Sequence, residues 1–558
     1  MPAAMEWEVI ASRHRAMRQE SIPREWVLSD RKLHDLKGVG TPLEGRLHAL
    51  DVARKSEILT EKEIEITERY DAKQLLTEIH GGSLSSEEVT VAFAKRAALA
   101  QQLTNCLTEI FFDEGIERAK ELDRHLKSTG KVVGPLHGLP ISLKDSFKVK
   151  GHHATVGYVE FLKRPPPDSN SAMVDLLLDA GAVLFCKTNV PQTMMTADSD
   201  NNVFGRTLNP HKTALTAGGS TGGEGALISF RGSILGVGTD IAGSVRIPSL
   251  CCGIYGFKPT ADRLPFAGQA YYPFPKPGRL PGVTPVAGPM AQSADDLALL
   301  MEVVLKQRPW KYDSSVLDVP WRAADAAGAW RRLRIGVMPE DPEYPFHPPV
   351  RRALEDAVSK LSAAGHEVIR LPPDASRSAG LSGRLGFHYF AMTSPGGEDL
   401  AAEIGEPLVA SVARGVPTFS ESGSPLITPG LDAAGQLGEF LTHSAAYADR
   451  WRQTWVDHDL DVVVGPGAVS TATPHDKYGI PVYTVMWNVL DYPAGIIPYG
   501  FASKELDPKY RKAMAAFDAD YDPEASDGAP CAIQVVAPRF RDEECLEAIR
   551  IIDADIRK

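Results

Sequence analysis

The chain has 558 residues, enough to bury a large core in two or three domains or in one oversized α/β domain. Its 43% hydrophobic and 24% charged composition is that of a soluble globular protein, and no apolar run nears the roughly 18 residues that a membrane span needs. The formal net charge of −12, with no lysine- or arginine-rich block to override it, argues against nucleic acid as a partner.

The first segment, "MPAAMEWEVIASRHRAMRQE", is polar and lacks the apolar stretch of a secretory signal, so a cytoplasmic location is expected. Residues 1–80 are charged and helix-prone, and "LTEKEIEITERYDAKQLLTEIH" spaces its apolar residues as a helix does. They are expected to form an N-terminal helical extension packing on the core. Ser85 and Glu88 then make a capping box, in which each side chain satisfies a free N–H at a helix start, so the main body, 81–558, is expected to begin here. Downstream, strand-length apolar runs such as "LPISLK", "AVLFCKT", "SILGVG", "RRLRIGVM", "GHEVIRL" and "LDVVVGPG" alternate with helical ones. This predicts an α/β class, with a mixed, mostly parallel central sheet covered by helices on both faces. Residues 265–289 are too rich in proline and glycine for regular structure, and 374–435 also reads as irregular. Both are expected to shape access to a pocket. The six cysteines, Cys106, Cys186, Cys251, Cys252, Cys531 and Cys545, show no metal-ligand spacing and read as reduced, mostly buried thiols.

Between Ala217 and Ser249 the chain carries nine glycines and five serines. A phosphate-binding loop would need a lysine where Glu224 stands, and a dinucleotide fingerprint would need a glycine where Ile241 stands. Gly218-Gly219-Ser220-Thr221-Gly222 does fit the nucleophile-elbow pattern GxSxG, although the preceding "NPHKTALTAGG" is a poor strand. The SxxK matches, at Ser29 and Ser128, lie in polar stretches and are taken as chance.

Glycine lets the backbone approach a ligand closely and leave N–H groups accessible. In "TDIAGSVRIP" the amides from Ile241 to Ser244 could therefore converge on one oxyanion, with Ser244 placed to attack. A serine needs a base. Lys144 ends the apolar strand "PISLK" on the same face as Ser142, and desolvation there would favour the neutral amine. The bland readings are an ion pair of Lys144 with Asp145, cap or turn roles for Ser220 and Ser244, and a locally satisfied His137. Asp240 and Arg246 read as structural partners of the loop, and Cys251 and Cys252 as packing residues. Spacing alone leaves the meeting of Lys144 with either serine open.

The block from Gly218 to Pro259, with upstream "GPLHGLPISLKD" and "KTNVPQTMM", resembles the amidase signature family, in particular its branch of fungal acetamidases and fatty acid amide hydrolase. The likeness is strong over about 80–310 and extends to "YTVMWNVLDYPAGIIPYG". It implies an amidase that cleaves a carboxamide C–N bond through a Ser-Ser-Lys triad and an acyl-enzyme: Ser244 as nucleophile, Ser220 as the bridging serine on a cis peptide, and Lys144 as base. It further implies an oxyanion hole of the N–H groups of Ile241, Ala242, Gly243 and Ser244, and substrate contacts at Met194, Gly218, Gly219 and Thr221. No metal or organic cofactor is expected, and the partner is a small-molecule amide. The family loop commonly reads Gly-Gly-Ser where this chain has Ala242-Gly243-Ser244, and a positive φ at 242 would strain an alanine by about 1 kcal/mol or more. Two other readings are a glutamyl-tRNA amidotransferase-type subunit and a non-catalytic binding protein on the same scaffold. Oligomeric state is left open, with a homodimer as one arrangement.

Overall fold

The computed structural model describes all residues but 1–4, 272–280, 323–331, 394–396, 422–425 and 515–516, and only the backbone of 397–399 and 416–421. An 11-stranded sheet runs through the molecule. Its strands are β1 Leu107–Ile110, β2 Pro140–Lys144, β3 Val183–Thr188, β4 Leu235–Asp240, β5 Tyr255–Lys258, β6 Val286–Ala291, β7 Arg334–Val337, β8 Glu367–Arg370, β9 Val462–Pro466, β10 Ala494–Phe501 and β11 Pro530–Val536. They lie in the order β1-β3-β2-β4-β6-β5-β10-β11-β9-β7-β8, with helices over both faces.

The sheet is mixed, as expected, but it is not mostly parallel. Four of its ten neighbouring pairs are parallel, namely β2/β3, β2/β4, β7/β8 and β7/β9. Each of these follows a helical crossover such as Ala172–Asp179 before β3 or Pro348–Ala363 before β8. The other six pairs, β5/β6 and β10/β11 among them, are antiparallel. Strand β6 was read as part of a loop because Pro289 lies within it. Pro289 lies outside the ladder to β5, which covers only Met290 and Ala291, and takes its place in the sheet opposite Val237 of β4.

The N-terminal segment is helical at Glu6–Glu20, Asp30–Leu36, Val52–Ser56, Glu61–Arg69 and Ala72–Gly81. Its Ile22, Trp26, Leu36, Ile64 and Leu75 join the same buried cluster as Ile141 of β2 and Val464 of β9. The Ser85–Glu88 capping box is present and opens the helix Ser86–Thr104.

The expectation of an irregular 374–435 is overturned: helices run over Ala379–Thr393, Gly397–Glu403 and Ala410–Glu421, and another begins at Ala433. Gly383 and Gly386, within that stretch, serve close helix packing. A Cβ on Gly383 would stand 2.8 Å from Val482 and one on Gly386 2.7 Å from Val485, so only glycine lets this helix lie on the helix Val482–Val489. Residues 272–280 of the expected 265–289 loop fall outside the described residues.

Candidate active site

Lys144 is the last residue of β2 and is fully buried. Its Nζ stands 2.7 Å from Ser220 Oγ and 2.7 Å from Thr239 Oγ1. No carboxylate lies within ion-pair distance of it among the described residues. Asp145, the neighbour that could have paired with it, is turned away: its carboxylate accepts the N–H groups of Thr155 and Val156, at 2.8 Å each, and lies 3.8 Å from Lys187 Nζ. Burial pushes the Lys144 ammonium down to about 7, against the weaker opposing pull of Asp240 and Asp145.

Ser220 follows a cis Gly219–Ser220 peptide and is buried. It sits one residue before Thr221, the cap of the helix Gly222–Ser229. Ser244 lies in the turn between β4 and the helix Arg246–Cys252 and is partly exposed. There the chain lines a pocket of about 820 Å³, counted with its solvent-open mouth. Ile241, Ala242, Ser244, Gly219 and Met194 border this pocket. Gly218 and Thr221 do not: the Gly218 carbonyl accepts the hydroxyl of Ser199 at 2.9 Å, and the Thr221 hydroxyl donates to the Thr239 carbonyl at 3.3 Å. They are buried behind the pocket and shape the loop. Of the two regions expected to shape access, 374–435 supplies Phe387, Phe390, Ser411 and Arg414, and the described part of 265–289 supplies none.

The turn carrying Ser244 is built around Asp240. Its carboxylate accepts the N–H of Gly243 at 2.8 Å and of Val245 at 3.1 Å, and pairs with the Arg246 guanidinium at 3.0 and 3.1 Å. Asn488 Nδ2 adds a bond of 2.9 Å to Asp240, and Arg246 reaches Asn488 at 2.7 Å and Gln534 at 2.9 Å. Burial alone would raise the Asp240 carboxyl, but the Arg246 charge holds it well below the usual range. Both residues are thus the loop supports read from the sequence. The Gly243 N–H is committed to Asp240, whereas those of Ala242 and Ser244 donate to no other group among the described residues. The positive φ of this turn falls on Gly243, at 126°, and not on Ala242, so the alanine is unstrained.

Sequence reasoning missed Thr239, Thr484, Asn488 and Gln534. Thr239 lies just beyond Val237, which pairs with Leu143, so only the strand register brings it to Lys144. Thr484 donates to the Ala242 carbonyl at 2.7 Å, and with Asn488 it forms a polar i,i+4 pair on an otherwise apolar helix, which was the one available signal. His137 is locally held, its Nδ1 accepting the N–H of Val133 at 3.0 Å. No histidine hydrogen-bonds to Ser220 or Ser244 among the described residues. The six thiols are free and buried, and burial pushes those of Cys251 and Cys252 up, which leaves them inert.

The Amidase family model matches residues 88–546. This chain belongs to the amidase family. It is 41% identical to an amidase of Gibberella moniliformis over 99% of both chains, and 36% identical to an acetamidase of Emericella nidulans over 97% of this chain and 96% of the other. Among solved structures it resembles fatty acid amide hydrolase, with a TM-score of 0.85, 31% identity, and coverage of 99% of this chain and 96% of that one. The mixed sheet with its helical layers is the amidase signature fold, and the chain is an amidase-type hydrolase. No described helix of this family member is long and apolar enough to cross a membrane.

Proposed function

We propose that the chain hydrolyses carboxamides through a Ser-Ser-Lys triad, with Ser244 as nucleophile, Ser220 as bridge and Lys144 as base. The observation that carries this reading is the 2.7 Å approach of Lys144 Nζ to Ser220 Oγ at a lysine that burial brings close to neutrality. A neutral Nζ lone pair accepts the proton of Ser220, and Ser220 Oγ accepts that of Ser244 as Ser244 Oγ bonds to the carbonyl carbon. The carbonyl electron pair moves onto oxygen, where the N–H groups of Ile241, Ala242 and Ser244 meet it, each worth about 3–4 kcal/mol in such sites. Gly243 has a different part: its amide fastens the turn to Asp240. As the C–N bond breaks, the proton returns through Ser220 to the leaving nitrogen, beside Met194. Water then attacks the acyl-enzyme over the same relay and frees the acid. A cytosolic location belongs to this reading and suits six unpaired, buried thiols.

A fluorophosphonate tests the assignment. Label recovered on the peptide containing Ser244, and lost together with activity in Ser244→Ala, is expected. Label on Ser220 with dependence on a histidine would favour the elbow reading. An unlabelled, inactive protein would favour a binding scaffold, and a co-purifying partner subunit an amidotransferase.

A further inference from the structure

The pocket beside Ser244 is lined by both apolar and charged side chains. Ile241, Ile247, Phe387, Phe390, Ile480 and Pro481 supply its apolar wall. The rings of Phe387 and Phe390 meet edge to face, with centroids 5.9 Å apart and planes at 84°, an arrangement that accepts a further flat or branched group. This wall cannot retreat, because Gly383 and Gly386 already seat its helix in contact with Val482 and Val485. The same pocket also carries charge. Arg414 donates to the carbonyls of Asp476 and Tyr478, at 3.2 and 3.1 Å, and to that of Phe517. Asp476 is in turn held by Arg206 at 2.8 Å. A long alkyl chain packed against these groups would strip them of solvent.

Resting on the catalytic reading above, we infer that the enzyme's substrates are amides of aromatic or medium-length acyl groups, with Phe387 and Phe390 as specificity-determining residues. An acetyl group leaves the apolar wall uncovered, and a long alkyl chain reaches past it to the charged groups of the lining.

Four amides test this: acetamide, hexanamide, benzamide and dodecanamide. Benzamide and hexanamide are expected to exceed acetamide in kcat/KM by about 10- to 100-fold, and dodecanamide to fall below hexanamide. Phe390→Ala should cut kcat/KM for benzamide about 10-fold or more while leaving acetamide within about 2-fold, and Phe390→Leu should restore most of the loss. A general folding defect would lower both substrates together. Acetamide equal to benzamide, or dodecanamide ahead of hexanamide, overturns the inference. Calorimetric binding to Ser244→Ala separates it from the catalytic reading. If wild type hydrolyses none of the amides but benzamide still binds at least about 10-fold more tightly than acetamide, the mechanism fails and the acyl preference stands. Equal binding of the two sinks the preference.

Discussion

Asp240 Oδ1 accepts the backbone N–H of Gly243 at 2.8 Å, tying the turn that carries Ser244 to an ion pair with no exposure to solvent. Arg246→Met would leave that carboxylate buried and unpaired, which costs about 3–5 kcal/mol in comparable sites. Urea denaturation should show a loss of this size, with kcat falling because the turn is no longer pinned. Asn488→Ala removes one bond from each partner and should cost about 1–3 kcal/mol. An Arg246→Met protein as stable and active as wild type would show that the pair does not hold the turn.

The same turn bears on Ala242. With the positive φ on Gly243, Ala242→Gly should leave kcat within about 2-fold and lower stability by a few tenths of a kcal/mol to about 1 kcal/mol through chain entropy. Gly243→Ala should do much worse, since its Cβ would come 2.3 Å from Thr484 Oγ1 as well as adopting an unfavourable φ. Initial rates and melting curves on the two variants give the comparison.

Activity should titrate with Lys144. The base is the neutral amine, so with its ammonium lowered by burial to about 7, kcat/KM should rise about tenfold per pH unit below neutrality and level off above about pH 8. A lysine at its solution value would keep rising to beyond pH 10. Lys144→Ala should lose at least about 1000-fold and the titrating limb with it. The limb surviving in that variant would assign it to another group.

A depressed lysine also costs stability. Between about pH 7 and 10.5 the unfolded chain holds the Lys144 proton while the folded chain has released it, so stability rises with pH across this window and is flat below it. Lys144→Met removes this dependence. The variant should be more stable than wild type by a few kcal/mol at pH 6–7, with the gap closing toward pH 10. Paired denaturation curves at pH 7 and pH 10 measure it, and a gap that widens with pH would mean the lysine is protonated in the folded state.

Much of this was legible in the chain itself. The six apolar runs read as strands became β2, β3, β4, β7, β8 and β9, because each is a short stretch next to a helical one, and all but the edge strand β8 are buried or mostly so. Five others, β1, β5, β6, β10 and β11, escaped. They carry proline or glycine or are only a few residues long, and their strand character comes from neighbours that complete their ladders. The helix Ala379–Thr393 was misread for a related reason: glycine is a breaker by propensity, yet it is favoured where two helix axes come close.

By itself the sequence determined which chemical groups were available: two serines and a lysine set among glycines and apolar strand residues, and a family pattern linking them. Only the tertiary structure decided that Lys144 turns from Asp145 to Ser220, that Thr239 is its second partner, and that Asn488, Gln534 and Thr484, more than two hundred residues away, brace the nucleophile turn. The reason is that local pattern sets which face of a strand a side chain occupies. Its burial, and hence its protonation, is set by strand register and by helices that arrive from distant parts of the chain.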